Sequence, residues 1–335
     1  MRAFVVEKLA HPSKIPLSLN APEPRAGPGQ VLVDIYSAGL NFFDILQAQG
    51  KYQHKPPLPF ILGSEFAGII SKDSPIPPGS NLRPGQRVFG AATGAFAEKI
   101  AVNVESVKPL PDNLTFDQGA GLYITWPTSY EALVGRAELK KGEWVLVTAA
   151  AGGVGIAAVQ IAKALGAKVI AAAGSSEKIE IAKRYGGADY GVNYSIAGWQ
   201  KDVLEITGGK GVDVIYDPVG LINDALKCIA WKGRALVIGF AGGTIEKVPM
   251  NLVLLKNVSI LGLHWGAYIQ KEPPRVPVVW HDILSMIGSG RVKPVIFSEV
   301  YKLDRIVDGL AAIETRKTWG KAVVRVREEV QGAKL

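Results

Sequence analysis

Trp144-Val145-Leu146-Val147-Thr148-Ala149-Ala150-Ala151-Gly152-Gly153-Val154-Gly155, continued by Ile156-Ala157-Ala158-Val159-Gln160-Ile161-Ala162-Lys163-Ala164-Leu165-Gly166, is the stretch that decides the fold. An apolar β run enters a glycine-rich turn. The turn opens a helix whose apolar residues Ile156, Val159, Ile161 and Leu165 stop at Gly166, a usual helix-ending residue. The turn fits the dinucleotide fingerprint G-x-G-x-x-G, with Ala150 in the first place and Gly152 and Gly155 in the second and third. Gly152 lets a backbone approach a pyrophosphate, and Gly155 lets helix and strand pack closely. The phosphates then sit on the helix N-terminus, cradled by Ala151, Gly152, Gly153 and Val154.

Downstream, apolar runs at 168–173, 212–217, 234–239 and 258–261 alternate with helical patterns across short Gly-marked connections, which predicts a parallel, doubly wound α/β sheet. Upstream, the first third is rich in Pro and Gly with short β runs at 31–37, 67–71 and 87–90, followed by a helical pattern over 123–137. After Gly262 the pattern turns irregular at Pro273, Pro274 and Pro277; a helix near 279–288 and a last strand at 322–326 follow.

The choice of nucleotide turns on the residues about 20 positions beyond the glycines, where a carboxylate would hold a ribose 2′-hydroxyl and a cation a 2′-phosphate. Here the chain reads Gly174-Ser175-Ser176-Glu177-Lys178. No Asp or Glu stands at the strand end, and Ser175, Ser176 and Lys178 offer hydrogen bonds and charge, so NADP(H) is favoured over NAD(H). Glu177 speaks the other way, unless it is a first-turn carboxylate behind a serine N-cap.

The chain's 335 residues suggest about two domains. With 48% hydrophobic and 20% charged residues the chain is globular, and its single cysteine, Cys228, excludes a disulfide framework and any multi-cysteine zinc module. The net charge of +8 is scattered, with no basic block of five, so no nucleic-acid partner is expected. No stretch reads as a membrane span or secretory leader; the longest low-charge run is the strand-turn-helix quoted above.

Four motifs carry a resemblance: Ala38-Gly39-Leu40-Asn41-Phe42-Phe43-Asp44 with Gly50-Lys51-Tyr52; Leu62-Gly63-Ser64-Glu65-Phe66-Ala67-Gly68; 149–155; and Thr315-Arg316-Lys317-Thr318-Trp319-Gly320-Lys321-Ala322. The sequence resembles the zinc-free quinone oxidoreductase (zeta-crystallin-like) branch of the medium-chain dehydrogenase/reductase superfamily over nearly its whole length. The resemblance implies a GroES-like, mostly β catalytic domain of residues 1–125 and 262–335 around an inserted Rossmann domain, 126–261. It also implies a homodimer joined along an edge strand within 253–263.

The zinc-dependent relatives place a cysteine where this chain has Asn41, a histidine where it has Ser64, and a third ligand where it has Ile124, so no metal is expected. Without a Lewis acid, acceptors that delocalise incoming charge onto oxygen are favoured, namely quinones and α,β-unsaturated carbonyls. By the resemblance, Asn41 and Thr128 lie near the nicotinamide and its ribose, and Tyr52 serves as donor or proton source, with Asp44 structural or orienting beside it. Tyr194 lies near the adenosine phosphate. Arg316 and Lys321 face the cofactor from a basic loop, and Gly239, Phe240 and Leu263 line the nicotinamide face. The expected activity is NADPH-dependent reduction of quinones or conjugated carbonyls. Alternatives are an enoyl-thioester (enoyl-CoA) reductase and an RNA-binding or structural zeta-crystallin-like protein. The closing Ala333-Lys334-Leu335 resembles a peroxisomal address, which in a eukaryote would engage an import receptor and otherwise leave the protein cytoplasmic.

Overall fold

The computed structural model describes residues 1–328, so Ala333-Lys334-Leu335 lies outside the described residues. The chain divides into two compact units, Met1–Tyr123 with the chain from Ile296 onward, and Ile124–Val295. Along the first segment run β1 (Val5–Val6), β2 (Gln30–Gly39), α1 (Phe42–Ala48), β3 (Phe60–Ile61), β4 (Glu65–Ile70), β5 (Arg87–Ala91), β6 (Lys99–Asn103), β7 (Val107–Pro109) and α2 (Phe116–Ala120). The continuous unit begins with α3 (Thr125–Tyr130), which runs on into a π-helical turn, Glu131–Arg136. It continues through β8 (Trp144–Val147), α4 (Gly153–Ala164), β9 (Lys168–Ala173), α5 (Ser176–Ile181), β10 (Tyr190–Asn193), α6 (Trp199–Ile206) and β11 (Val212–Asp217). Then come α7 (Ile222–Ala225), β12 (Ile229–Val237), α8 (Met250–Lys256), β13 (Ser259–Gly262), α9 (Tyr268–Lys271) and α10 (Arg275–Gly288). The chain returns to the first unit with β14 (Tyr301–Lys302), α11 (Ile306–Glu314) and β15 (Val323–Arg325).

In the split unit, β2 is the centre: it pairs antiparallel with β4, β6 and the late strand β15. Its alternate residues Val31, Val33 and Ile35 are fully buried against Phe66, Ile70, Val88 and Phe96, as the period-2 pattern of a half-buried strand requires. Among the described residues this sheet has seven strands, of which only β14 and β15 pair parallel.

The continuous unit holds six parallel strands in the order β10-β9-β8-β11-β12-β13. That is the doubly wound Rossmann order, whose strand sequence reverses between β8 and β11 and leaves a crevice outside the strand carboxyl ends. Leu146, Ile170, Ala172, Ile215 and Ala235 form its apolar middle.

Two expectations are corrected. The second boundary falls at 295/296, not 262, because 262–295 is tied into the nucleotide unit. Tyr130 donates to Asp282 Oδ2 at 2.6 Å, Arg275 pairs with the buried Glu131 at 2.9 Å, and Gln160 Nε2 donates to the Lys293 carbonyl at 2.9 Å. The strand β10 had no strand signal, since Gly191 interrupts it; yet a methyl at Gly191 would collide with Ile179 Cγ2 of α5, so the helix can lie on the sheet only because the residue is glycine.

Candidate active site

The glycine-rich turn forms as its residues demand. Ala149 takes the left-handed φ of 45°, and its carbonyl accepts the Gly152 N–H at 2.8 Å. The bent backbone delivers Gly152 as the N-cap of α4. A methyl at Gly155 would strike the Ala149 carbonyl oxygen and stand 2.9 Å from Ala150 Cα, so glycine is what lets α4 approach β8. Ala151 is buried and Gly152, Gly153 and Val154 are half-buried. The first N–H groups of a helix lack intrahelical acceptors, and here they mark an anion cradle at the strand reversal.

Beside it, the ends of β9 and β10 bring together Gly174, Ser175, Ser176, Lys178 and Tyr194. Ser175 is the N-cap of α5, its hydroxyl accepting from the Lys178 N–H at 3.3 Å, which leaves its own proton to donate. The Tyr194 N–H donates to the Ala173 carbonyl at 3.1 Å, and its ring edge lies 3.5 Å from where a Gly174 Cβ would stand. Glu177 is exposed in the first turn of α5, the position of a dipole-favoured carboxylate.

At the far side of the reversal a feature not anticipated from sequence appears. Asp217, fully buried at the end of β11, accepts the hydroxyl of Thr148 and the N–H groups of Val219 (3.2 Å), Gly220 (2.9 Å) and Leu221 (2.7 Å). One carboxylate thus shapes the loops on both sides of the crevice; the signal was Asp217-Pro218-Val219-Gly220, an Asx-type turn at a strand end. Glu246 accepts the N–H groups of Ile222 (2.8 Å) and Asn223 (3.1 Å), and burial raises its carboxyl above the ordinary range. Gly239 and Phe240 follow β12, with Phe240 3.5 Å from the Gly220 Cβ position, and Leu263 follows β13, its N–H on the Val237 carbonyl at 3.2 Å. Thr128, on α3, donates its hydroxyl to the Ile124 carbonyl at 2.6 Å, which leaves it an acceptor toward any ligand. Its neighbour Ser129 sits fully buried, 2.8 Å from the Val154 carbonyl and 2.9 Å from the Tyr216 hydroxyl, fastening α3 to the glycine turn and β11.

In the split unit, Asn41, Asp44, Glu65 and Lys321 form one buried network, joined by the half-buried Ser64. Lys321 Nζ donates to Asn41 Oδ1 at 2.6 Å and pairs with Glu65, while Asn41 Nδ2 donates to Glu65 Oε1 at 3.0 Å. The Asn41 N–H donates to Asp44 Oδ2 at 2.8 Å, closing the first turn of α1, and the Ser64 hydroxyl reaches Asp44 Oδ1 at 3.4 Å. Burial pushes Asp44 up to about 7 against the opposing pull of that N–H and of Lys321. Asp44 has no exposed surface, and its carboxylate caps the first turn of α1 through the Asn41 N–H. Lys321, expected to face the cofactor, is 5% exposed and pairs with Glu65. Arg316, exposed with a left-handed φ of 59°, does lie on the surface loop before it.

Tyr52 is half-buried and stacks on Phe43 with centroids 5.0 Å apart at 22°. Burial first, and the charge of Asp44 second, hold its hydroxyl above the ordinary phenol range, so it is a donor at any physiological pH. Among the described residues, no three His, Cys, Asp or Glu side chains gather as a metal site.

These two units define a dinucleotide-binding oxidoreductase of the alcohol dehydrogenase type. The model of the alcohol dehydrogenase GroES-like domain matches residues 27–112, and that of the zinc-binding dehydrogenase matches 153–280. Quinone oxidoreductase-like protein 2 of Rattus norvegicus is 38% identical over 319 residues, 94% of this chain and 90% of that protein. Quinone oxidoreductase of Homo sapiens is 32% identical over 312 residues, 92% of each. The crystal structure of Escherichia coli quinone oxidoreductase complexed with NADPH matches with a TM-score of 0.87 and 29% identity, covering 97% of this chain and all of that one. The chain belongs to the quinone oxidoreductase branch of the medium-chain dehydrogenase/reductase superfamily.

Proposed function

We propose that the protein is an NADPH-dependent reductase of quinones and other α,β-unsaturated carbonyls that works without zinc. The observation that carries the reading is the cluster at the ends of β9 and β10: Ser175, Ser176, Lys178 and Tyr194 offer hydroxyls and an ammonium, with no strand-end carboxylate, next to a turn whose glycines admit a pyrophosphate. NADPH was bound in the Escherichia coli relative, and the residues here fit it. When bound, NADPH supplies the hydride.

The chain's own residues supply the rest. The N–H groups from Gly152 to Val154 hold the pyrophosphate, and Ser175, Ser176 and Lys178 hold the 2′-phosphate. By the family resemblance, Asn41 and Thr128 serve the nicotinamide end. Tyr52 donates to the acceptor oxygen as charge develops there, a proton the hydride alone does not provide. Zinc independence is supported by residue chemistry: the positions matched to ligands carry Asn41, Ser64 and Ile124, and the ammonium of Lys321 already neutralises Glu65.

A homodimer is supported by the continuous unit. Helix α8 buries none of its residues and shows Met250, Leu254 and Leu255 at 72%, 77% and 68% exposure, next in the chain to β13, whose sole sheet neighbour among the described residues is β12.

The test is NADPH oxidation by metal-free protein with a simple quinone, a short enone and an enoyl-CoA in parallel. Turnover of quinone or enone, undiminished by chelator, is the expected result. Preference for enoyl-CoA would reassign the protein to thioester reduction. Binding of NADPH without reduction of any of the three would leave a nucleotide-dependent binding protein.

A further inference from the structure

Three polar side chains meet in the interior of the split unit, at 9% (Asn41), 0% (Glu65) and 5% (Lys321) exposure. They arrive from separate segments. Asn41 follows β2 and leads α1, Glu65 opens β4, and Lys321 precedes β15, its carbonyl accepting the Phe297 N–H at 2.9 Å. Two glycines make the room. A Cβ on Gly39 would stand 2.8 Å from Glu65 Cγ and Oε1, and one on Gly121 would stand 2.8 Å from Lys321 Cγ.

The triangle admits one orientation of the Asn41 amide. With Oδ1 on the Lys321 ammonium at 2.6 Å and Nδ2 on Glu65 Oε1 at 3.0 Å, both contacts are charge-assisted. A half-turn of the amide would set N–H against ammonium and carbonyl oxygen against carboxylate, where little water is present to screen either. The ammonium also draws electron density from the amide, which sharpens its N–H groups as donors.

We propose that Lys321 and Glu65 are positioning residues for Asn41: the buried ion pair holds in one orientation the amide that the family resemblance assigns to the nicotinamide nucleotide. The inference rests on the NADPH reading above. It gives the Trp319-Gly320-Lys321 segment a role that a surface phosphate contact would not explain, since its cation is spent inside the unit.

The test is a mutant cycle on the full chain. E65Q/K321M removes both charges together, because losing Lys321 alone would strand a buried carboxylate. Asn41→Ala is then made in the parent and in this neutral background. In the parent it is expected to lower kcat/KM for NADPH by roughly tenfold or more, and in the neutral background by less than about twofold, while K321R keeps most of the parent rate. An equal loss in both backgrounds overturns the proposal.

A second measurement needs neither substituted protein nor cofactor. The Asn41 side-chain NH2 in a ¹⁵N spectrum of the unmodified chain is expected as one slowly exchanging pair; averaged or fast-exchanging signals overturn the proposal. If that pair is single and slow but NADPH neither binds nor is oxidised, the held amide stands and the cofactor reading is what fails.

Discussion

Asp44 holds its proton up to about pH 7, well beyond where an ordinary aspartate loses it, because the cost of burying its charge exceeds what one N–H and a nearby ammonium return. The folded protein, with this carboxyl at about 7, binds the proton more tightly than the unfolded chain, where Asp titrates near 3.8. Its contribution to stability is therefore complete below about pH 4 and is lost as pH rises through about 7. Asp44→Asn keeps an acceptor for the Asn41 N–H and removes the titration. Urea unfolding of both proteins at pH 4.5 and 8 should show the variant gaining on the parent at the higher pH by on the order of 2–4 kcal/mol, and a constant difference would contradict the assignment. Sequence made Asn41, Asp44 and Tyr52 visible as a motif, but not that Lys321 joins Asn41 from 280 positions away; no local pattern encodes such a contact.

At the scale of elements, the strand-turn-helix from β8 to α4 was readable because its chemistry is local: the glycines serve steric needs that arise within a few residues of themselves. Gly155→Ala should push α4 off β8, destabilising the protein by about 1–3 kcal/mol in denaturant titration and weakening NADPH binding with it. The β9-to-α5 junction makes the companion prediction: Lys178→Glu should raise the NADPH dissociation constant at least about tenfold more than that of NADH. Equal effects on the two nucleotides would remove Lys178 from the 2′-phosphate site. By contrast β10 was illegible, since its glycine weakens the strand signal for the sake of a neighbouring helix, and Asp217 gathers partners from both sides of the strand reversal that only the folded sheet brings together.

For the whole molecule, the sequence announced two domains and an insertion but put the second boundary at 262. The irregular, proline-broken stretch after β13 resembled the β-rich unit in texture, whereas its anchors Asp282, Arg275 and Lys293 each find partners on α3, the π-helical turn or α4. The exposed apolar face of α8 belongs at this scale too. Light scattering should give about twice the 35.7 kDa chain mass, and Leu254→Glu should halve it, whereas a monomeric parent would retire the edge-to-edge dimer.

The late return of the chain also sets an order of events at the ribosome. Strand β15 emerges long after β2, against which it must lie. At about 5–20 residues per second, the 280 positions between Asn41 and Lys321 amount to roughly 15–60 seconds. Throughout that interval the nascent first segment holds Glu65 without its cation and β2 without one neighbour. Newly made chains therefore pass through a period in which β2 waits with an open edge.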